Sequence, residues 1–134
     1  MTSVRTLFSD KWGDILDRPD NQCVEILWHA TTAEMGEEDF RVFLEKYADC
    51  VEACGRPGGL IDALQFGMDT SKLTPGWRDE NIIPRYNSAG MKKFAFIVPE
   101  GMPAIGTAPA TEGPANFPTG YYGNRSDALD WLRD

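Results

Sequence analysis

Lys93-Phe94-Ala95-Phe96-Ile97-Val98 is an unbroken apolar run behind one lysine, and the architecture follows from it. Its apolar residues do not alternate with polar ones, so neither side of a strand built from them faces water. Such a run predicts a central strand, covered by helices on both faces and parallel to its neighbour. Upstream, Gly58-Gly59 leads into Leu60-Ile61-Asp62-Ala63-Leu64, which reads as a second interior strand. Between the two runs, Thr74 as cap and Pro75 at the first helical position predict a helix reaching about Ala89, with Gly90 as its terminator. Pro84 falls inside that span and must kink or divide it.

Further upstream the period changes. Phe40, Phe43, Leu44, Tyr47, Val51 and Cys54 recur at helical spacing and predict a helix over 37–54 with one buried stripe. Arg41, Glu45, Asp49 and Glu52 take its wet side. Gly36 is the expected N-cap, with Glu37, Glu38 and Asp39 at the positive end of the helix dipole. Met35 and Phe40 occupy the positions of a hydrophobic staple, and Gly55 followed by Pro57 is a stop signal. Before this helix, Trp12 to Asp17 and Gln22 to His29 read as two strands around Arg18-Pro19-Asp20-Asn21. Pro19 suits position i+1 of a type I turn. Val24, Ile26 and Trp28 form one face of the second strand, with Cys23, Glu25, Leu27 and His29 on the other. Residues 1–11 are an irregular lead-in or a short edge strand.

Downstream, 99–116 contains Pro99, Pro103, Pro109 and Pro114 among several glycines, and is expected to be a loop without ladder hydrogen bonds. Tyr121 and Tyr122 lie in a last short strand, and Asn124 caps a terminal helix carrying Ala128, Leu129, Trp131 and Leu132. The order β-β-α-β-α-β-loop-β-α predicts a single α/β domain with a mixed sheet. An antiparallel hairpin lies at one edge, followed by parallel strands joined by crossover helices.

The chain has 134 residues, 42% hydrophobic and 25% charged. This balance excludes intrinsic disorder and collagen-like repeats, and no stretch reaches the roughly 20 apolar residues of a membrane span. Thirteen Lys and Arg against 21 Asp and Glu give a net charge of −8, which argues against a nucleic-acid footprint. The N-terminus lacks the apolar core of a secretory signal, and Cys23, Cys50 and Cys54 form no C-x-x-C pair. A cytoplasmic protein with reduced thiols is expected.

Chemistry-bearing constellations are sparse. His29 is the sole histidine, so no Ser-His or Cys-His arrangement can be assembled, and a strand-end surface position is expected for it. Cys50 and Cys54 stand four apart, with Cys23 and His29 as the remaining donors for a zinc ion. Free cysteines behave as small buried hydrophobes, so no metal is expected, and no cofactor. Asp14, Asp17 and Asp20 depart from the spacing of a calcium loop and read as a solvated turn. No acid, base and nucleophile triple emerges, and a noncatalytic role is expected.

The pattern resembles the STAS-like, SpoIIAA-like family of small bacterial domains, related in fold to anti-sigma-factor antagonists and loosely to Sec14-type lipid-binding domains. The resemblance rests on Leu27-Trp28, Met35-Gly36-Glu37-Glu38-Asp39-Phe40, Leu60-Ile61-Asp62, Asn81-Ile82-Ile83-Pro84-Arg85, Gly90-Met91-Lys92-Lys93-Phe94-Ala95-Phe96 and Ala128-Leu129-Asp130-Trp131-Leu132. It covers the chain from about Trp12 to the end. It departs where the family would place a short helix after the fourth strand and this chain has its Pro- and Gly-rich segment.

The resemblance implies a STAS-like regulatory module acting through a protein partner or a second copy of itself, with 65–76 and 99–116 as contact surfaces. Met102 and Ile105 are the side chains available to pin the second of these. It also draws attention to Asp69-Thr70-Ser71, since anti-sigma-factor antagonists carry a phosphorylated serine after the third strand. Thr70 and Ser71 are thus candidate phosphorylation sites, although Lys72 stands where those proteins have glycine. A different role is the binding of a small apolar or lipid-like ligand beneath the Pro-rich loop, by Trp77, Tyr86, Phe96, Met102 and Tyr122. The same aromatic residues would also serve as plain core.

Overall fold

A computed structural model of the protein describes residues 4–134. The lead-in is an edge strand, β1 (Arg5–Ser9), although its first three residues lie outside the described range. It pairs antiparallel with β2 (Gly13–Arg18), which pairs antiparallel with β3 (Cys23–Trp28). The connection between β2 and β3 is a single 3-10 turn, Pro19–Asn21, closed by Gln22 in the left-handed region at φ 54°.

The helix α1 (Glu37–Cys54) has the expected bounds. The Gly36 N–H donates to Asp39 Oδ2 at 3.1 Å, and Gly55 ends the helix at φ 67°, a conformation that needs no Cβ. Phe43, Leu44, Tyr47, Ala48 and Val51 are buried along its inner face. Each large apolar side chain there contributes about 1.5–3 kcal/mol. The strand β4 (Gly58–Asp62) follows, parallel to β3.

The expected second helix is two. Thr74-Pro75-Gly76-Trp77 forms a turn, with the Trp77 N–H donating to the Thr74 carbonyl and Gly76 at φ 82°. Thr74 is therefore not the cap: Pro75 and Gly76 satisfy a turn with positive φ at its third position better than they start a helix. Helix α2 (Trp77–Asn81) follows Gly76 and is divided at Ile82 from α3 (Ile83–Ser88), which carries Pro84 in its first turn.

Strand β5 (Lys93–Ile97) is central, with parallel neighbours on both sides. The Pro-rich segment holds a two-residue strand, β6 (Ala110–Thr111), paired antiparallel with β7 (Pro118–Tyr122). This corrects the expectation that proline would keep the segment off the ladder: neither β6 residue is a proline. Helix α4 (Arg125–Arg133) closes the chain, with Asn124 Oδ1 accepting from the Asp127 N–H at 2.9 Å.

The seven strands form one mixed sheet in the order β1-β2-β3-β4-β5-β7-β6. The crossovers from β3 to β4 and from β4 to β5 step in one direction, so equal handedness puts α1, α2 and α3 on one face. On that face Ile15, Val24, Ile26, Trp28, Ile61 and Phe94 meet Phe43, Leu44, Tyr47 and Tyr86. The next step, to β7, has no helix. Ala115 and Phe117 from the Pro-rich segment complete the same core instead. On the opposite face Cys23, Leu60, Ala95 and Ile97 pack against Ala128 and Leu132 of α4. Gly59 lies beside Phe94 in register, and a Cβ there would stand 2.7 Å from the Phe94 ring. No helix among the described residues is long and apolar enough to cross a membrane.

Candidate functional site: an aromatic cavity at the strand ends

Four neighbouring strands, β3, β4, β5 and β7, run parallel, so their carboxyl ends lie along one edge of the sheet. Ligand sites of open α/β sheets form in crevices at that edge. Trp28, Ile61 and Phe96 are placed there by β3, β4 and β5, and all three line a cavity of about 190 Å³. Ala63 and Phe66 line it from the segment after β4, Phe40 and Leu44 from α1, Arg78 from α2 and Tyr86 from α3.

The walls are mainly rings. Trp28 lies 6.1 Å from Phe40 and 5.2 Å from Phe66, and Phe40 lies 6.2 Å from Phe66, centroid to centroid. Phe96 stacks on Tyr121 at 5.3 Å and 11°. These contacts hold the aromatic side chains in fixed orientations around the cavity.

Two groups in this wall carry polarity. The Arg78 guanidinium lies 5.5 Å from the centroid of Phe94 and 6.0 Å from that of Phe96, a cation-π arrangement. It makes no ion pair among the described residues. Tyr86 is 1% exposed, edge-on to Tyr47 and stacked on Phe94, and its hydroxyl has no hydrogen-bond partner among the described residues. Burial pushes its phenol well above the ordinary tyrosine value, partly offset by the charges of Arg78 and Arg85, so it stays a neutral donor. Tyr47 differs, since its hydroxyl donates to the Val24 carbonyl at 2.7 Å.

Of the five residues expected to line one pocket, Tyr86 and Phe96 share this cavity. Trp77 lines a smaller one of about 80 Å³ with Arg41, Leu73 and Arg78. Tyr122 and Ile105 line a cleft of about 550 Å³ under the Pro-rich segment. Glycines 101, 106 and 123, with Glu100, Asp127 and Tyr121, also line that cleft, which mixes charged residues with apolar wall. Met102 is 47% exposed. The five therefore do not form a single site, because β5 and α3 lie on one side of the sheet edge and the loop cleft on another.

Asp69, Thr70 and Ser71 are exposed on a separate 3-10 turn, Thr70–Lys72. Asp69 Oδ1 accepts from the Ser71 N–H at 3.1 Å and from its hydroxyl at 2.6 Å, and these bonds hold the Asp69 carboxyl below its ordinary value. A phosphate on Ser71 would stand beside that carboxylate, and like charge opposes it. The turn is also not the start of a helix.

Among the described residues no group of three or more His, Cys, Asp or Glu is placed to hold a metal ion. Cys23 lies in the α4-side core, whereas Cys50 and Cys54 pack against the other. Burial pushes the Cys23 thiol up to about 12. His29 Nε2 pairs with Asp14 Oδ2 at 3.1 Å. Asp17 is not part of a solvated turn: it is 3% exposed, with Arg56 donating to both of its oxygens at 2.9 and 3.1 Å.

Sequence reasoning missed Arg78, Trp28, Phe40 and Phe66 as members of one site. They are distant in the chain, and only the sheet edge brings them together. No family model, no curated protein and no solved structure matches the chain.

Proposed function

We propose that the protein is a noncatalytic, STAS-like binding module that takes up a small, mostly apolar ligand in the cavity at the carboxyl ends of β3, β4 and β5. The observation that carries this reading is the cavity itself: about 190 Å³, walled by Trp28, Phe40, Phe66 and Phe96 at the sheet edge where such folds bind ligands. An apolar space of roughly 150 Å³ already accepts benzene, so a single ring fits and a long acyl chain would protrude. A binding role agrees with the polar groups present, a guanidinium and a neutral phenol, neither of which is a general base near neutral pH. Contact with a protein partner through 65–76 or 99–116 is a separate reading that no feature of those segments favours over the cavity.

Calorimetric titration with toluene tests the proposal, with Ala63→Phe as the filling variant. Ala63 is half-buried on the cavity wall, so the added ring enters existing space. The expected result is one-site binding to the native chain, at least tenfold weaker in the variant, with a melting temperature within a few degrees. Equal binding by both proteins would remove the cavity as the site.

A further inference from the structure

The polar groups of this cavity are unusual in what they lack. Arg78 has no carboxylate partner and the buried Tyr86 hydroxyl has no acceptor among the described residues. Buried hydroxyls in native proteins are nearly always bonded, so an orphaned one calls for an explanation. Both residues line the same apolar space, and toward an anion each polar group can only donate. We propose that the cavity takes a small aromatic carboxylic acid, with its ring against Trp28, Phe40 and Phe96, Arg78 as counter-ion and Tyr86 as hydrogen-bond donor to the carboxylate. This rests on the reading of the cavity as a ligand site and names the chemical class of its ligand.

Three further observations support it. The rings of Phe94 and Phe96 position the guanidinium without neutralising it. The carboxylates that line adjoining cavities with Arg78, those of Asp79, Glu112 and Glu37, form no ion pair with it: Glu112 accepts from the Tyr121 hydroxyl at 2.7 and 2.9 Å, and Glu37 accepts from Arg41 and the Thr74 N–H. The overall charge of −8 is screened beyond roughly 8–10 Å, so the local cation governs whether an anion enters. The size also matches. About 190 Å³ holds one ring with a short acid, such as phenylacetate.

Calorimetry with phenylacetate, its neutral isostere phenylacetamide, and toluene tests this on the native chain, Arg78→Met and Tyr86→Phe. The Trp28 indole resonance serves as the locator. The acid should bind at least tenfold tighter than the amide, since a charge-assisted bond is worth about one to two orders of magnitude. Arg78→Met should bring the acid down to the level of the amide while toluene binding is retained. Tyr86→Phe should weaken the acid about threefold to tenfold and leave toluene unaffected. Equal affinity for acid and amide, or an Arg78→Met protein that keeps its acid affinity, would overturn the carboxylate assignment while toluene binding upheld the cavity. An unchanged acid affinity in Tyr86→Phe would remove the phenol from the assignment. Failure of both toluene and phenylacetate to bind would overturn both readings.

Discussion

Arg125, the first residue of α4, forms a two-pronged ion pair with Glu25 in β3, Nη1 to Oε2 at 2.9 Å and Nη2 to Oε1 at 2.7 Å. The Glu25 side chain is fully buried, and Arg18 and Asp62 complete the group, with Arg125 Nη1 reaching Asp62 Oδ2 at 2.6 Å. A cation at a helix N-terminus opposes the dipole, and the two carboxylates offset that cost. The pair fastens α4 to the sheet a hundred residues away in sequence.

Removing the cation should therefore be costly. Arg125→Met leaves Glu25 buried with only Arg18 as partner, and should lower stability by about 3 kcal/mol, the lower end for breaking a buried pair. Urea denaturation measures it. A loss under about 1 kcal/mol would mean that water reaches Glu25.

Tyr47 and Tyr86 touch each other, yet should respond in opposite ways to loss of the hydroxyl. Tyr47→Phe deletes a buried bond to the Val24 carbonyl and should cost about 1–2 kcal/mol. Tyr86→Phe deletes a hydroxyl without a partner and should be neutral or stabilising. Melting temperatures of the two variants decide this. A destabilised Tyr86→Phe would show that its hydroxyl has a partner in the unliganded protein.

Gly59 has no room to gain a methyl group. A Cβ would stand 2.7 Å from the Phe94 ring and 2.9 Å from the Met91 terminal carbon, so Gly59→Ala should cost about 1–3 kcal/mol by overpacking. It should also shift the Tyr86 ring resonances, because Phe94 stacks on Tyr86. Native stability with native Tyr86 resonances would contradict this contact.

Stability should fall on the alkaline side. Burial raises the Tyr47, Tyr86 and Cys23 groups above their ordinary values of 10.0 and 9.0. The folded chain keeps these protons to higher pH than the unfolded chain does. Their contribution is fully present below about pH 9, the unfolded cysteine value, and is lost as pH rises through the folded values. Urea midpoints between pH 7 and 11 read this out, and a flat profile above pH 9 would contradict the burial of these groups.

The sequence was most readable where one local signal settled the structure. Gly36 and Gly55 bound α1 because capping needs only adjacent residues, and the double-sided apolar run of β5 admits only a central strand. Local reading failed where two signals competed, as at Thr74-Pro75-Gly76, where a turn preceded the helix. It also failed where the partner was remote. Glu25 among Cys23, Val24, Ile26, Leu27 and Trp28 signals a need for a buried cation, but nothing nearby identifies Arg125. Phe96 reads as core as Phe94 does by period, yet it is half-buried on a cavity, because the break at Ile82, just ahead of Pro84, and the short α2 leave the sheet edge uncovered there.

The most direct measurement of the cavity's role is an isotope-filtered NOE experiment with labelled protein and unlabelled toluene. Binding at the strand ends should give NOEs from the toluene ring to Trp28, Phe40, Ile61 and Phe96, saturating at one equivalent. NOEs spread instead over the exposed apolar side chains Val4, Val42, Leu64 and Met102, or none at all, would contradict a ligand site there.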